Sequence, residues 1–288
     1  MATLARFDPF PRDTPPDERS QTALAELATL AHQLGRRAAF ARDARVARCL
    51  DLLERVYREP LLHEFPFRHE PRALVGHLAL WVALRGRGSE AIVPRARLQG
   101  LLDAGGALAD AREPYRALEL RYFAEAAGLR HGLPAEADLF ARTLLGGDLS
   151  DVPTDARTAY AVTHTLFYAT DYGLARPGYL TGHRRADVLQ VLRLLLQAAL
   201  GAEHWDLTGE LVLCHRCLTR DEHPLLAQAW GALDTAQDPH GMICHPPRFL
   251  EALAGLPRGE PRDAYLFLRC HHMTLVAVMA GFLGLPEA

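Results

Sequence analysis

The segment YAVTHTLFYATDYG, residues 160–173, decides how the chain reads. Tyr160, His164, Tyr168 and Asp171 recur at helical spacing and so share one face of a single helix, while Val162, Leu166 and Ala169 fall opposite. A helix with one apolar face and one face of tyrosine, histidine and acid suits the wall of a cavity. His164 is therefore a candidate base or acid, Tyr168 a proton donor, and Asp171 an orienting group or ligand. Asp171 also falls near the helix C-terminus, where the macrodipole disfavours an acid, so a surface role gains nothing from that placement.

The same period runs through the rest of the chain. Helices are expected over residues 18–35, 43–58, 71–86, 94–109, 113–128, 134–146, 155–172, 184–201, 205–219, 223–235 and 262–282, with a short one near 248–255. Prolines such as Pro60, Pro94, Pro114, Pro153 and Pro224 fall between these windows or at their starts, and Asp206 and Asp263 read as N-caps. The expectation is an all-α protein of about twelve helices in antiparallel hairpins, closing as an α/α toroid or, alternatively, an open helical solenoid. Residues 1–17, rich in proline and acid, are expected to be a flexible N-terminal segment. Residues 18–288 are then one toroid domain with its site in the C-terminal half.

Composition narrows the function. Hydrophobic residues make up 49% of 288, enough for a large core, and the net charge of −3 argues against nucleic-acid and membrane partners. No lysine occurs, which removes Schiff-base, P-loop and kinase-type lysine chemistry. Motifs for dinucleotides, serine hydrolases and zincins are absent, as is the aspartate-rich run of ionising terpene synthases. With no signal-peptide core, no long uninterrupted apolar run and an odd number of scattered cysteines, a cytoplasmic chain without a disulfide framework is expected.

Nine of the fourteen histidines and four of the five cysteines lie between His164 and His272. Imidazole, thiolate and carboxylate bind zinc-like metals and move protons near neutral pH, so this clustering points to a site. In WDLTGELVLCHRC, residues 205–217, Glu210, Cys214 and Cys217 recur on one helix face. Glu210 is a candidate proton donor. Cys214 and Cys217 are either ligands of a soft metal or core thiols. In RCHHMTL, residues 269–275, adjacent histidines point about 100° apart, so His272 is the candidate acid or base and His271 a candidate metal ligand or a solvent-facing group.

Three resemblances add to this reading. Trp230, Gln237 and Gly241 are spaced like the Q-x-x-x-G element of terpenoid-cyclase-like toroids. The dipeptide Cys-His occurs at residues 214–215, 244–245 and 270–271, and resembles the zinc-ligating pair of lanthionine cyclases, whose other motifs this chain lacks. The segments HTLFYATDYG, WDLTGEL and HHMTL are also similar to a little-characterised actinobacterial all-helical family that accompanies peptide natural-product pathways. These likenesses imply a biosynthetic enzyme, most concretely one forming thioethers in a peptide that contains dehydroamino acids. Zinc is then the possible cofactor, a peptide or small molecule the substrate, and other pathway enzymes possible partners. The alternatives are a non-catalytic helical scaffold for a peptide or partner protein, and an isoprenoid-handling toroid.

Overall fold

The structure is a computed structural model describing residues 2–10, 18–64, 73–243, 255–257 and 259–283. The expected helix near 248–255 and the Cys-His pair at 244–245 lie outside these residues, apart from residue 255 itself. The protein is all-α. Among the described residues the sole β feature is one isolated antiparallel bridge between Gln237 and Ile243.

The chain divides into two compact units, residues 1–135 and 136–286. The first contains α1 (Ala2–Ala5), α2 (Glu18–Gly35), α3 (Ala44–Tyr57), α4 (Pro60–Glu64), α5 (Ala73–Ala83), α6 (Ser89–Ile92), α7 (Arg95–Asp103), α8 (Gly106–Asp110) and α9 (Pro114–Ala126). The window expected as one helix over 94–109 is divided between α7 and α8 at Gly105, whose φ of 81° is left-handed and interrupts the helix. Its core buries Leu24, Leu53, Tyr57, Leu78 and Trp81. The Trp81 indole N–H donates to the Val93 carbonyl at 3.0 Å, so even the largest core ring leaves no polar atom unpaired. Within the segment expected to be flexible, α1 forms, Phe7 is buried, and Asp8 pairs with Arg55 at 2.5 Å.

The second unit contains α10 (Glu136–Arg142), α11 (Ala156–Ala169), α12 (Gly182–Gly201), α13 (Trp205–Leu218), α14 (Pro224–Ala236) and α15 (Glu260–Leu283). Helix α13 is its axis, packed by α11, α12, α14 and α15. All of α13 except Trp205, Asp206 and Arg216 is buried, as expected of a helix covered on every side. Asp206 is not its N-cap. That role falls to His204, whose Nδ1 accepts from the Leu207 N–H at 3.4 Å, leaving the Asp206 carboxylate in the first turn and available for other contacts.

Helix α11 starts where expected, capped by Asp155, which accepts from the Thr158 N–H at 2.9 Å. It stops at Ala169 rather than continuing to 172. Asp171, Tyr172 and Gly173 all take positive φ (47°, 51° and 86°), and the Tyr172 N–H reaches back to the Phe167 carbonyl at 2.8 Å, closing the last turn. A β-carbon on Gly173 would stand 3.1 Å from the Cys217 α-carbon, so only glycine lets this turn lie against the end of α13.

Between α14 and α15, the Gln237 side chain of the Q-x-x-x-G element donates to the Gly241 carbonyl at 2.9 Å and closes its own loop. Helix α15 is long and apolar enough, by length and composition, to cross a membrane. In this structure it packs on α13, and a β-carbon on Gly209 of α13 would stand 3.2 Å from Val276 Cγ1 of α15. That close approach places His272 over the start of α13.

Candidate metal centre

Asp206 and Glu210 lie one turn apart on α13, which sets two carboxylates on the same side of the helix. Above them stands His272 of α15. Its Nε2 lies 3.0 Å from Asp206 Oδ1 and 3.2 Å from Glu210 Oε1. One ligand atom from each of the three residues falls within 4.8 Å of the others, so together they can hold a metal ion.

The burial is graded. The Glu210 side chain is 1% exposed, Asp206 15% and His272 32%, so the group opens toward solvent at the imidazole. An unpaired carboxylate could not persist at the depth of Glu210, and two donors hold it: the Thr163 hydroxyl on Oε2 at 2.5 Å, and His272 on Oε1. The Tyr160 hydroxyl donates a short hydrogen bond to Asp206 Oδ2. Burial raises the Asp206 carboxyl, but the adjacent His272, and then the Tyr160 hydroxyl, outweigh it and hold the group below the usual carboxylate value. Burial and then the Asp206 carboxylate push the Tyr160 phenol far up, so it stays protonated as a donor.

Nε2 carries one hydrogen at most, and it can serve only one of the two oxygens facing it. Geometry gives it to Glu210. Among the described residues Asp206 Oδ1 is buried with no hydrogen-bond donor, even though Nε2 is 3.0 Å away. Two carboxylates and one imidazole thus converge on a point with one proton too few, an arrangement that a cation completes.

The structure brings together three of the residues singled out from sequence, Glu210, His272 and Tyr160 of the expected stripe, and adds Asp206 and Thr163. His164 sits one turn along α11 from Tyr160, with ring centroids 6.2 Å apart, and its Nδ1 bonds the Tyr160 carbonyl at 2.9 Å instead of a carboxylate. Tyr168 is buried two turns from Tyr160 and packs edge-on against Tyr172. Asp171 lies beyond the helix end, about 16 Å of helical rise from Tyr160, beside the turn that rests on Cys217. The expected stripe therefore divides, and its Tyr160 end alone meets the carboxylates.

The expected metal ligands Cys214, Cys217 and His271 are placed elsewhere. Cys214 and Cys217 are fully buried and in no disulfide, and Cys214 Sγ donates to the Thr163 carbonyl at 3.6 Å. Burial, then Cys217 and Glu210, push the Cys214 thiol well up, as expected of a thiol packed in the core. Cys270 is likewise buried, in an apolar cluster with Leu233, Ile243, Met273 and Ala277. His271 stacks on Phe267 at 5.0 Å and bonds that residue's carbonyl through Nδ1, turned away from His272 by the helical step.

Asp206 could have been found from sequence. Like charges four apart on a buried helix repel unless something positive sits between them, and the pair Asp206 and Glu210 carries that signal. Tyr160 was legible as part of the polar stripe, whereas Thr163 carries no comparable signal, because a hydroxyl on an amphipathic helix is ordinary.

The chain matches, over residues 1–282, the family described as a domain of unknown function, DUF6895, and it belongs to that family. No curated protein and no solved structure matches it.

Proposed function

We propose that this family member is an enzyme whose centre is a zinc-like divalent cation held by Asp206, Glu210 and His272. The observation that carries the reading is the convergence of Nε2, Oδ1 and Oε1 on one point with a single N–H among them. Tetrahedral ligands about 2.0–2.2 Å from a zinc ion stand about 3.3–3.6 Å from one another, so the two separations at Nε2, 3.0 and 3.2 Å, need to open by only a few tenths of an ångström. Carboxylate oxygen with imidazole nitrogen suits zinc, manganese or iron, whereas the thiolates that would favour softer ions stay in the core.

Such a cation activates a sulfur or oxygen nucleophile by lowering its pKa, since metal-bound thiols lose their proton outright. The thioether-forming case fits that chemistry. With a cation held there the substrate thiol would lose its proton, the sulfur would add to the β-carbon of a dehydroamino acid, and the resulting enolate would take up a proton at its α-carbon. A peptide or small molecule bearing a thiol or hydroxyl is therefore the proposed substrate class.

The test is metal analysis of purified protein followed by zinc titration of the wild type and of Asp206→Ala and His272→Ala. One equivalent per chain in the wild type, lost in both variants, is the expected result. A wild-type protein that binds no divalent cation more tightly than His272→Ala would overturn the reading.

A further inference from the structure

Each carboxylate of the centre has one oxygen tied back and one left forward. Thr163 of α11 donates to Glu210 Oε2, and Tyr160, three residues earlier on the same helix, donates to Asp206 Oδ2. The remaining oxygens, Oε1 and Oδ1, are the two that face His272 Nε2. One hydroxyl per carboxylate, from one helix, at a spacing of three against a spacing of four on α13, is a matched pair. Helix α11 packs along α13, so the two rows stand in register.

We infer that Tyr160 and Thr163 are positioning residues that restrict Asp206 and Glu210 to one metal bond each, which keeps the centre at three protein ligands and leaves open coordination positions for substrate. The inference rests on the metal-centre reading above. Its physical basis is competition for lone pairs. A carboxylate whose outer oxygen accepts a strong hydrogen bond cannot also turn that oxygen onto the metal without breaking the bond, and at Glu210, 1% exposed, no water would replace it. Without the hydroxyl, the freed oxygen becomes a second ligand, and the position it occupies is lost to substrate. Three ligands with a vacancy is the arrangement catalytic zinc requires, whereas a filled shell is structural. Neither hydroxyl touches the metal, so both act through the carboxylates.

Cobalt(II) in place of zinc reports coordination number by its visible absorption, which is strong for four ligands and weak for five or six. The measurement compares the full-length wild type with Thr163→Val, Thr163→Ser and Tyr160→Phe, using cobalt alone, with affinity taken from competition against a chelator and folding checked by circular dichroism. Wild type and Thr163→Ser are expected to share one spectrum. Thr163→Val and Tyr160→Phe should show weaker absorption bands and an affinity changed about tenfold to a hundredfold. Tyr160→Phe, at a half-buried position, keeps the test decisive should Thr163→Val fold poorly. A wild type that binds cobalt, with both hydroxyl-less variants matching it in spectrum and affinity, would overturn this inference and leave the metal centre standing. A wild type that binds no cobalt would overturn both.

Discussion

The Thr163 hydroxyl lies 2.5 Å from Glu210 Oε2, joining α11 to α13 inside the core of the second unit. Both side chains are buried, so water cannot substitute for either partner. Thr163→Val keeps the shape and removes the donor, leaving a buried carboxylate oxygen unpaired. It should cost about 1–3 kcal/mol in urea unfolding, and Thr163→Ser distinctly less. Equal stability of Thr163→Val and wild type would show that this bond contributes nothing.

Gly209 governs how near α15 comes to the carboxylates. A β-carbon there already meets Val276 at 3.2 Å, and the branched side chain of Gly209→Val has no space to fill. Overpacking of about 1–3 kcal/mol is expected, exceeding any gain in helix propensity, and cation affinity should fall as His272 is displaced. Thermal unfolding and zinc titration of the same variant read both effects.

Gly173 is constrained twice, by its φ of 86° and by the Cys217 backbone. Gly173→Ala should destabilise by about 1–3 kcal/mol. A neutral result in chemical denaturation would mean that the turn after α11 rebuilds without cost.

Stability should decline in mild acid. Burial first, then Arg193, Arg216 and His223, with Asp221 opposing them, hold the His215 imidazole down at about 4, against an ordinary 6.5. Both of its ring nitrogens are buried and unpartnered. Burial likewise lowers His63, whose bond to the Tyr57 carbonyl works the other way, and lowers His77 strongly, with His63 and then Arg97 adding to the effect. Below pH 6.5 the unfolded chain takes up protons that the folded one refuses, so this stability is fully present above 6.5 and is lost as pH falls. Each histidine contributes a slope of up to about 1.4 kcal/mol per pH unit, and the His215 part levels off near its folded value. Urea unfolding between about pH 7.5 and 4.5 should show the decline, and His215→Phe should flatten part of it. A profile with no slope below 6.5 would contradict the buried neutral state of these rings.

Zinc should stabilise the wild type through mass action, by about 2.7 kcal/mol at a hundredfold excess over its dissociation constant. His272→Ala should show no such gain. A thermal shift of similar size in both proteins would mean that zinc acts somewhere other than on this imidazole.

The division between sequence and tertiary structure falls at the helix surface. Periodicity and proline punctuation were enough to make the chain all-α and to delimit α2, α3, α9, α12, α13 and α14 within about two residues, because helix formation and helix phase are local properties. The candidate roles of Glu210 and His272 were legible for the same reason: an acid and a histidine on the inward faces of apolar helices stand out. Where α11 ends was not legible, since the left-handed turn that removes Asp171 from the helix is held by its seat against Cys217, nearly fifty residues away in sequence. The pair Asp206 and Glu210 carries a signal in sequence, but the tertiary structure ranks it above the cysteines by bringing His272 to both carboxylates. Phase says which residues share a face, but which faces meet depends on close approaches such as Gly209 against Val276, between segments far apart in the chain.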